Sequence, residues 1–72
     1  LLMANPITDR LSATTASAKT YQWFVQSSLG QQLNASFGES LDLDTTNWPA
    51  GTYFVKLEDE AGRMLVQRVV KF

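Results

Sequence analysis

The chain has 72 residues, net charge −1 and no cysteine or histidine, which bounds it to a single small domain without disulfides, thiolate chemistry or the usual general base and zinc ligand. At 44% hydrophobic and 18% charged, with two Trp, two Tyr and four Phe, it has the makings of a packed core rather than a disordered tail. Its six lysines and arginines are scattered, so charge proposes neither nucleic acid nor an anionic membrane as a partner, and no apolar run is long enough for a membrane-spanning helix. A signal-peptide pattern is also missing, and the first Met stands at position 3, as expected of a C-terminal piece released from a larger protein.

In chain order, Leu1-Leu2-Met3-Ala4 is an apolar lead-in, read as a linker from whatever precedes it. Asn5-Pro6 opens a turn, the proline biasing Asn5 to extended geometry. Ile7 to Thr15 reads as a first strand or pair of short strands, with Ile7 and Leu11 as core candidates and Ala13 on Leu11's face. Helix competes over Leu11 to Lys19, where alanine is common. The interleaved Ser and Thr and the lack of a helical apolar stripe favour strand. Ala16-Ser17-Ala18 is a small-residue link.

Lys19 to Gln26 is the clearest early strand. Tyr21, Trp23 and Val25 share one face, Gln22, Phe24 and Gln26 the other. Ser27-Ser28-Leu29-Gly30 is a turn, and Gln31 to Ser36 returns with Leu33 expected to face inward, a hairpin of common loop length. Phe37-Gly38-Glu39 breaks the pattern. Ser40 to Asp44 alternates again, with Leu41 and Leu43 inward and Asp42 and Asp44 outward.

Trp48-Pro49-Ala50-Gly51 is a tight turn running straight into a strand. Pro49 fixes φ, and Gly51 supplies whatever unusual φ the chain needs to enter the strand. Tyr53, Val55 and Leu57 then alternate with Phe54, Lys56 and Glu58. A last turn, Glu58-Asp59-Glu60-Ala61-Gly62, leads into Arg63 to Phe72. There Met64, Val66, Arg68, Val70 and Phe72 oppose Leu65, Gln67, Val69 and Lys71. Both faces are partly apolar, as in a strand covered on both sides or shared with a partner, and the unguarded terminal strand makes a homodimer through it an expectation. About six or seven short strands with regular turn signals and no convincing helix predict an all-β fold, a small antiparallel immunoglobulin-like β-sandwich.

Chemistry is sparse. Asp42 and Asp44 are two apart on one strand face and have calcium-ligating chemistry, but the plainer reading is a solvated face opposite core leucines. Glu58, Asp59 and Glu60 are read as keeping a hairpin tip soluble. The serines have no histidine to activate them, and the four glycines sit at separate turns rather than in a phosphate loop. No metal, no cofactor and no enzymatic activity are expected. Trp23 and Trp48 would suit a sugar platform in a carbohydrate-binding module, yet a small domain uses such residues as core. A passive immunoglobulin-like spacer or adhesion domain of a surface protein is the other alternative.

The order of motifs carries more. Asn5-Pro6 near the start, Trp23-Phe24-Val25 to Gly30-Gln31-Gln32-Leu33, Leu41-Asp42-Leu43, Trp48-Pro49-Ala50-Gly51-Thr52-Tyr53-Phe54-Val55, and Gln67-Arg68-Val69-Val70-Lys71 at the end follow one another over residues 4 to 72. Together they resemble the type A C-terminal sorting domain of the type IX secretion system, found on cargo proteins of a large group of Gram-negative bacteria. The resemblance implies a non-catalytic immunoglobulin-like domain over residues 5–72, with 1–4 as linker from an upstream cargo domain. It implies a signal that directs periplasmic cargo to an outer-membrane translocon, with a shuttle protein and a surface sortase as partners, the sortase removing the domain at the cell surface. By position, Asn5 and Pro6, then Gly51 and Tyr53, match the family's structural motifs. Arg68, Val69, Val70 and Lys71 match its terminal recognition block. Ala4 replaces a usual proline, Arg68 a usual lysine and Trp48 a usual aliphatic residue.

Overall fold

The computed structural model describes residues 2–15 and 19–72, so the expected Ala16-Ser17-Ala18 link and Leu1 lie outside the described residues. Seven strands form: β1 Leu2–Met3, β2 Arg10–Thr14, β3 Tyr21–Ser27, β4 Gln32–Gly38, β5 Ser40–Asp44, β6 Gly51–Glu58 and β7 Met64–Lys71. They make two antiparallel sheets, β1-β2-β5 and β4-β3-β6-β7, the small immunoglobulin-like sandwich that the alternation predicts, and no helix forms among the described residues.

The core follows from period-2 patterning. Leu11, Ala13 and Leu41 come from the three-stranded sheet, and Trp23, Val25, Tyr53, Val55, Leu57 and Val69 from the four-stranded one. Trp23 is fully buried and its indole N–H donates to the Gly38 carbonyl at 3.0 Å, satisfying its one polar atom. Leu43 packs on the core from a half-buried position. The helical alternative over Leu11 to Lys19 is displaced by strand, since β2 spans Arg10–Thr14 with Leu11 and Ala13 both buried. Ile7 precedes that strand rather than belonging to it, and is buried through an isolated parallel bridge to Lys71.

One core assignment is overturned. Leu33 faces outward and is exposed. Side chains directly opposite in an antiparallel pair share a face, and Trp23 and Val25, both inward, stand opposite Ser36 and Asn34. The register therefore turns Asn34, Ser36 and Gly38 inward and Ala35 and Phe37 out, and Leu33 falls at a register shift between Asn34 and Gln32, where it is left unpaired and exposed.

The same rule decides the terminal strand. Tyr53 and Val55 point inward and stand opposite Val69 and Gln67, so Val69 and Lys71 take the inner face while Met64, Val66, Arg68 and Val70 take the outer one. Burial on the inner side stops at Val69. Met64, Leu65 and Val66 are 50%, 49% and 51% exposed, so this part of β7 is open on both faces. Gly51 and Gly62 have φ of 152° and 82°, backbone conformations that glycine adopts without the penalty a side chain would carry.

Candidate recognition surface

β7 is an edge strand. Its odd-numbered residues turn their backbone polar groups toward β6, and its even-numbered residues turn theirs away. The outward groups of the C-terminal half do not stay bare. The Asn5 amide Nδ2 donates to the Arg68 carbonyl at 3.1 Å, and the Val70 N–H donates to Asn5 Oδ1 at 3.0 Å. One side-chain carboxamide thus presents a donor and an acceptor as a neighbouring strand would. Two residues on, the Ile7 N–H donates to the Val70 carbonyl at 2.8 Å, and the Phe72 N–H donates to the Ile7 carbonyl at 3.0 Å. The Asn5-Pro6 peptide is cis and lies between these two grips. Four hydrogen bonds therefore clasp residues 68–72 with residues 5–7.

The opposite flank of the same stretch is β6, where Gly51 pairs with Lys71 and Tyr53 with Val69. The Tyr53 hydroxyl donates to the Pro49 carbonyl, and its ring lies 5.0 Å from that of Trp48 at 38°. Tyr53 thereby fastens the Trp48–Gly51 turn to the start of β6. The Asn5-Pro6, Gly51, Tyr53 and Arg68–Lys71 motifs, drawn from both ends of the sequence, converge at one end of the four-stranded sheet.

Within that cluster the four terminal residues differ. Val69 is completely buried and Lys71 only 7% exposed, its stem facing the side-chain-free Gly51 and its ammonium donating to the Phe72 carbonyl oxygen at 3.3 Å. Val70 is half-buried under the clasp. Arg68 is exposed, stands opposite Phe54 on the outer face, and forms no ion pair among the described residues. Lys56 is on the same face, opposite Val66.

The acidic residues are engaged elsewhere. Arg10 donates to both Asp42 oxygens at 2.7 and 2.9 Å and Ser12 adds a bond at 3.0 Å; the Arg10 bonds, then Ser12, hold the Asp42 carboxyl below its usual value. Asp44 is lowered by the hydroxyl and backbone N–H of Thr46. At Asp59 partial burial works upward, but the backbone N–H and guanidinium of Arg63 and the N–H of Ala61 outweigh it, and the net direction is down. Asp42 and Asp44 are thus a strand-face ion pair and a turn cap, and among the described residues no three of His, Cys, Asp and Glu come together. The sugar platform does not assemble, because Trp23 is core and Trp48 is spent on Tyr53.

Sequence reasoning found the motif residues but not what joins them. It read Asn5 as a turn opener, whereas its side chain is the first grip on β7. Ile7 was legible only as a core residue, and its backbone bridge leaves no trace in residue type.

A family model described as the secretion system C-terminal sorting domain matches residues 4–71, nearly the whole chain. The chain belongs to that family, the C-terminal sorting domains of type IX secretion. No curated protein matches it.

Proposed function

We propose, for a chain that belongs to the type IX secretion sorting domains, that residues 5–72 are read in the periplasm by an outer-membrane shuttle protein and the translocon, and are removed by a surface sortase once the cargo has crossed. The family is a non-catalytic signal for export across the outer membrane, acting on a cargo domain in the same chain. Residues 1–4 serve in this reading as the linker from that cargo, and within it Leu2 and Met3 pair with β2. The observation that carries the reading is the clasp. Asn5 and Ile7 fix the terminal residues in one extended geometry while Arg68 projects, exposed and without a carboxylate, beside them.

In this reading the terminal block divides by role. Val69 and Lys71 complete the fold, Val70 carries the clasp, and Arg68 is the side chain that meets the machinery. A homodimer through β7 is a side reaction of the same open strand. The test is a periplasm-directed fluorescent cargo fused to residues 1–72 in a host carrying the machinery. The intact fusion should reach the cell surface or medium. Arg68→Ala combined with Lys71→Ala should stay in the periplasm with the all-β circular dichroism spectrum kept, and Arg68→Ala alone should account for most of the loss. Normal export of the double variant would remove the terminal basic residues from the signal, and retention of the intact fusion would refute the sorting reading itself.

A further inference from the structure

The geometry points to the outer edge of β7 over Met64–Arg68 as a strand-docking surface, taking an extended segment of a secretion-machinery protein that carries an acidic side chain opposite Arg68. This inference rests on the sorting-domain reading above and narrows it to one edge and one mode of binding. Alternation along β7 leaves the Val66 N–H and C=O and the Arg68 N–H pointing away from β6, just beyond where the Asn5 clasp ends. No partner holds these groups among the described residues. Such a row is a template for strand addition, in which main-chain bonds give affinity and alternate side chains give selectivity.

Three observations choose this edge and its occupant. The chain already adds an extended segment to the other half of the same edge, with Ile7 in a parallel bridge to Lys71, so a docked strand continues an interface the fold itself uses. Met64, Leu65 and Val66 are each about half exposed, so an added strand would cover apolar surface on both faces at once, and neither proline nor lysine guards them. Arg68 and Lys56 put two cations on the outer face beside Val66, with Arg68 lacking an anion, which selects a segment with an acidic residue. The opposite edge of the sheet, β4, suits such a segment less: a register shift opposite Val25 and Gln26 breaks its regular spacing, and no basic side chain lies along Gln32–Gly38.

The experiment uses the fluorescent cargo fused to residues 1–72. Val66→Pro removes an N–H that faces away from β6, a position where an edge strand tolerates proline, and so blocks strand addition without breaking the β6–β7 ladder. Met64→Lys with Val66→Lys guards the edge through two solvent-exposed positions and keeps the backbone intact, which covers the case in which the proline variant fails to fold. Variants that melt like the wild type should lose export roughly tenfold, the scale of one or two main-chain hydrogen bonds. Folded variants exported at the wild-type level overturn the inference. A wild-type dimer in sedimentation that these variants abolish while export persists also overturns it, assigning the edge to a second copy. If the unaltered fusion stays in the periplasm, the sorting reading falls and this inference with it.

Discussion

Asn5→Ala is the sharpest perturbation of the clasp. It removes the donor to the Arg68 carbonyl and the acceptor for the Val70 N–H, while Ile7 keeps its two backbone bonds. A net intramolecular hydrogen bond contributes about 0.5–1.5 kcal/mol, and Asn5 is exposed, so the pair together is worth about 1–2 kcal/mol. That is roughly a 5- to 30-fold change in a local opening equilibrium. Amide hydrogen exchange reads it residue by residue. The Val70 N–H, whose acceptor is Asn5, should exchange faster by that factor. The Val69 N–H, which faces β6 opposite Tyr53, should change far less. Asn5→Asp keeps an acceptor for Val70 and loses the donor to Arg68, so it should retain Val70 protection and recover part of the stability. If Val70 exchange in Asn5→Ala matches the wild type, Asn5 does not hold the edge, and the link between the two ends of the chain is wrong.

Two further outcomes rest on the backbone at Gly51 and on the aspartates. Gly51→Val should destabilise by about 1–3 kcal/mol through backbone strain alone, because φ is 152° while a Cβ there would meet nothing within 4 Å; Thr52→Val should cost well under half as much, and equal melting temperatures would remove φ as the cause. Asp42, Asp44 and Asp59 all have lowered folded-state values, so their contribution is present above the ordinary carboxylate range and lost as pH falls through the lowered values; melting temperature should drop below about pH 4, and Asp42→Asn should flatten that slope.

Alternation alone made the sandwich legible. Trp23 with Val25, Leu41, and Tyr53 with Val55 and Leu57 each state their buried face without help from the rest of the chain, and each is buried. Leu33 defeated the same reasoning because its strand has one large aliphatic residue among Gln, Asn, Ala and Ser, so hydrophobicity could not fix the phase. The phase came instead from the partner strand, through the register with Trp23 and Val25 and the shift just beyond it that leaves Leu33 unpaired. β7 posed the opposite difficulty. Apolar residues stand on both of its faces, and again the partner strand decides: Tyr53 is inward, so Val69, opposite it, is inward too. That signal was present in the sequence, since counting back from the Asp59–Gly62 turn pairs Leu57 with Leu65 and Tyr53 with Val69.

The clasp belongs to a different class of information. Asn5 contributes a carboxamide that pairs with backbone atoms, and backbone atoms carry no residue identity, so nothing in residues 68–70 announces a need for an asparagine 65 positions earlier. Only the folded edge does. Val69 and Lys71 face inward and are anchored by β6, while the outward groups of Arg68, Val70 and Phe72 are held by Asn5 and Ile7. The terminal residues therefore owe their extended shape to two flanks built from distant parts of the chain. Removed from those flanks, five residues would sample many backbone conformations, each ordered residue costing about 1–2 kcal/mol on binding. A folded domain meets that cost once, in its own core, and presents Arg68 at a fixed position. This is a physical reason for a sorting signal to be a whole sandwich rather than a short tag.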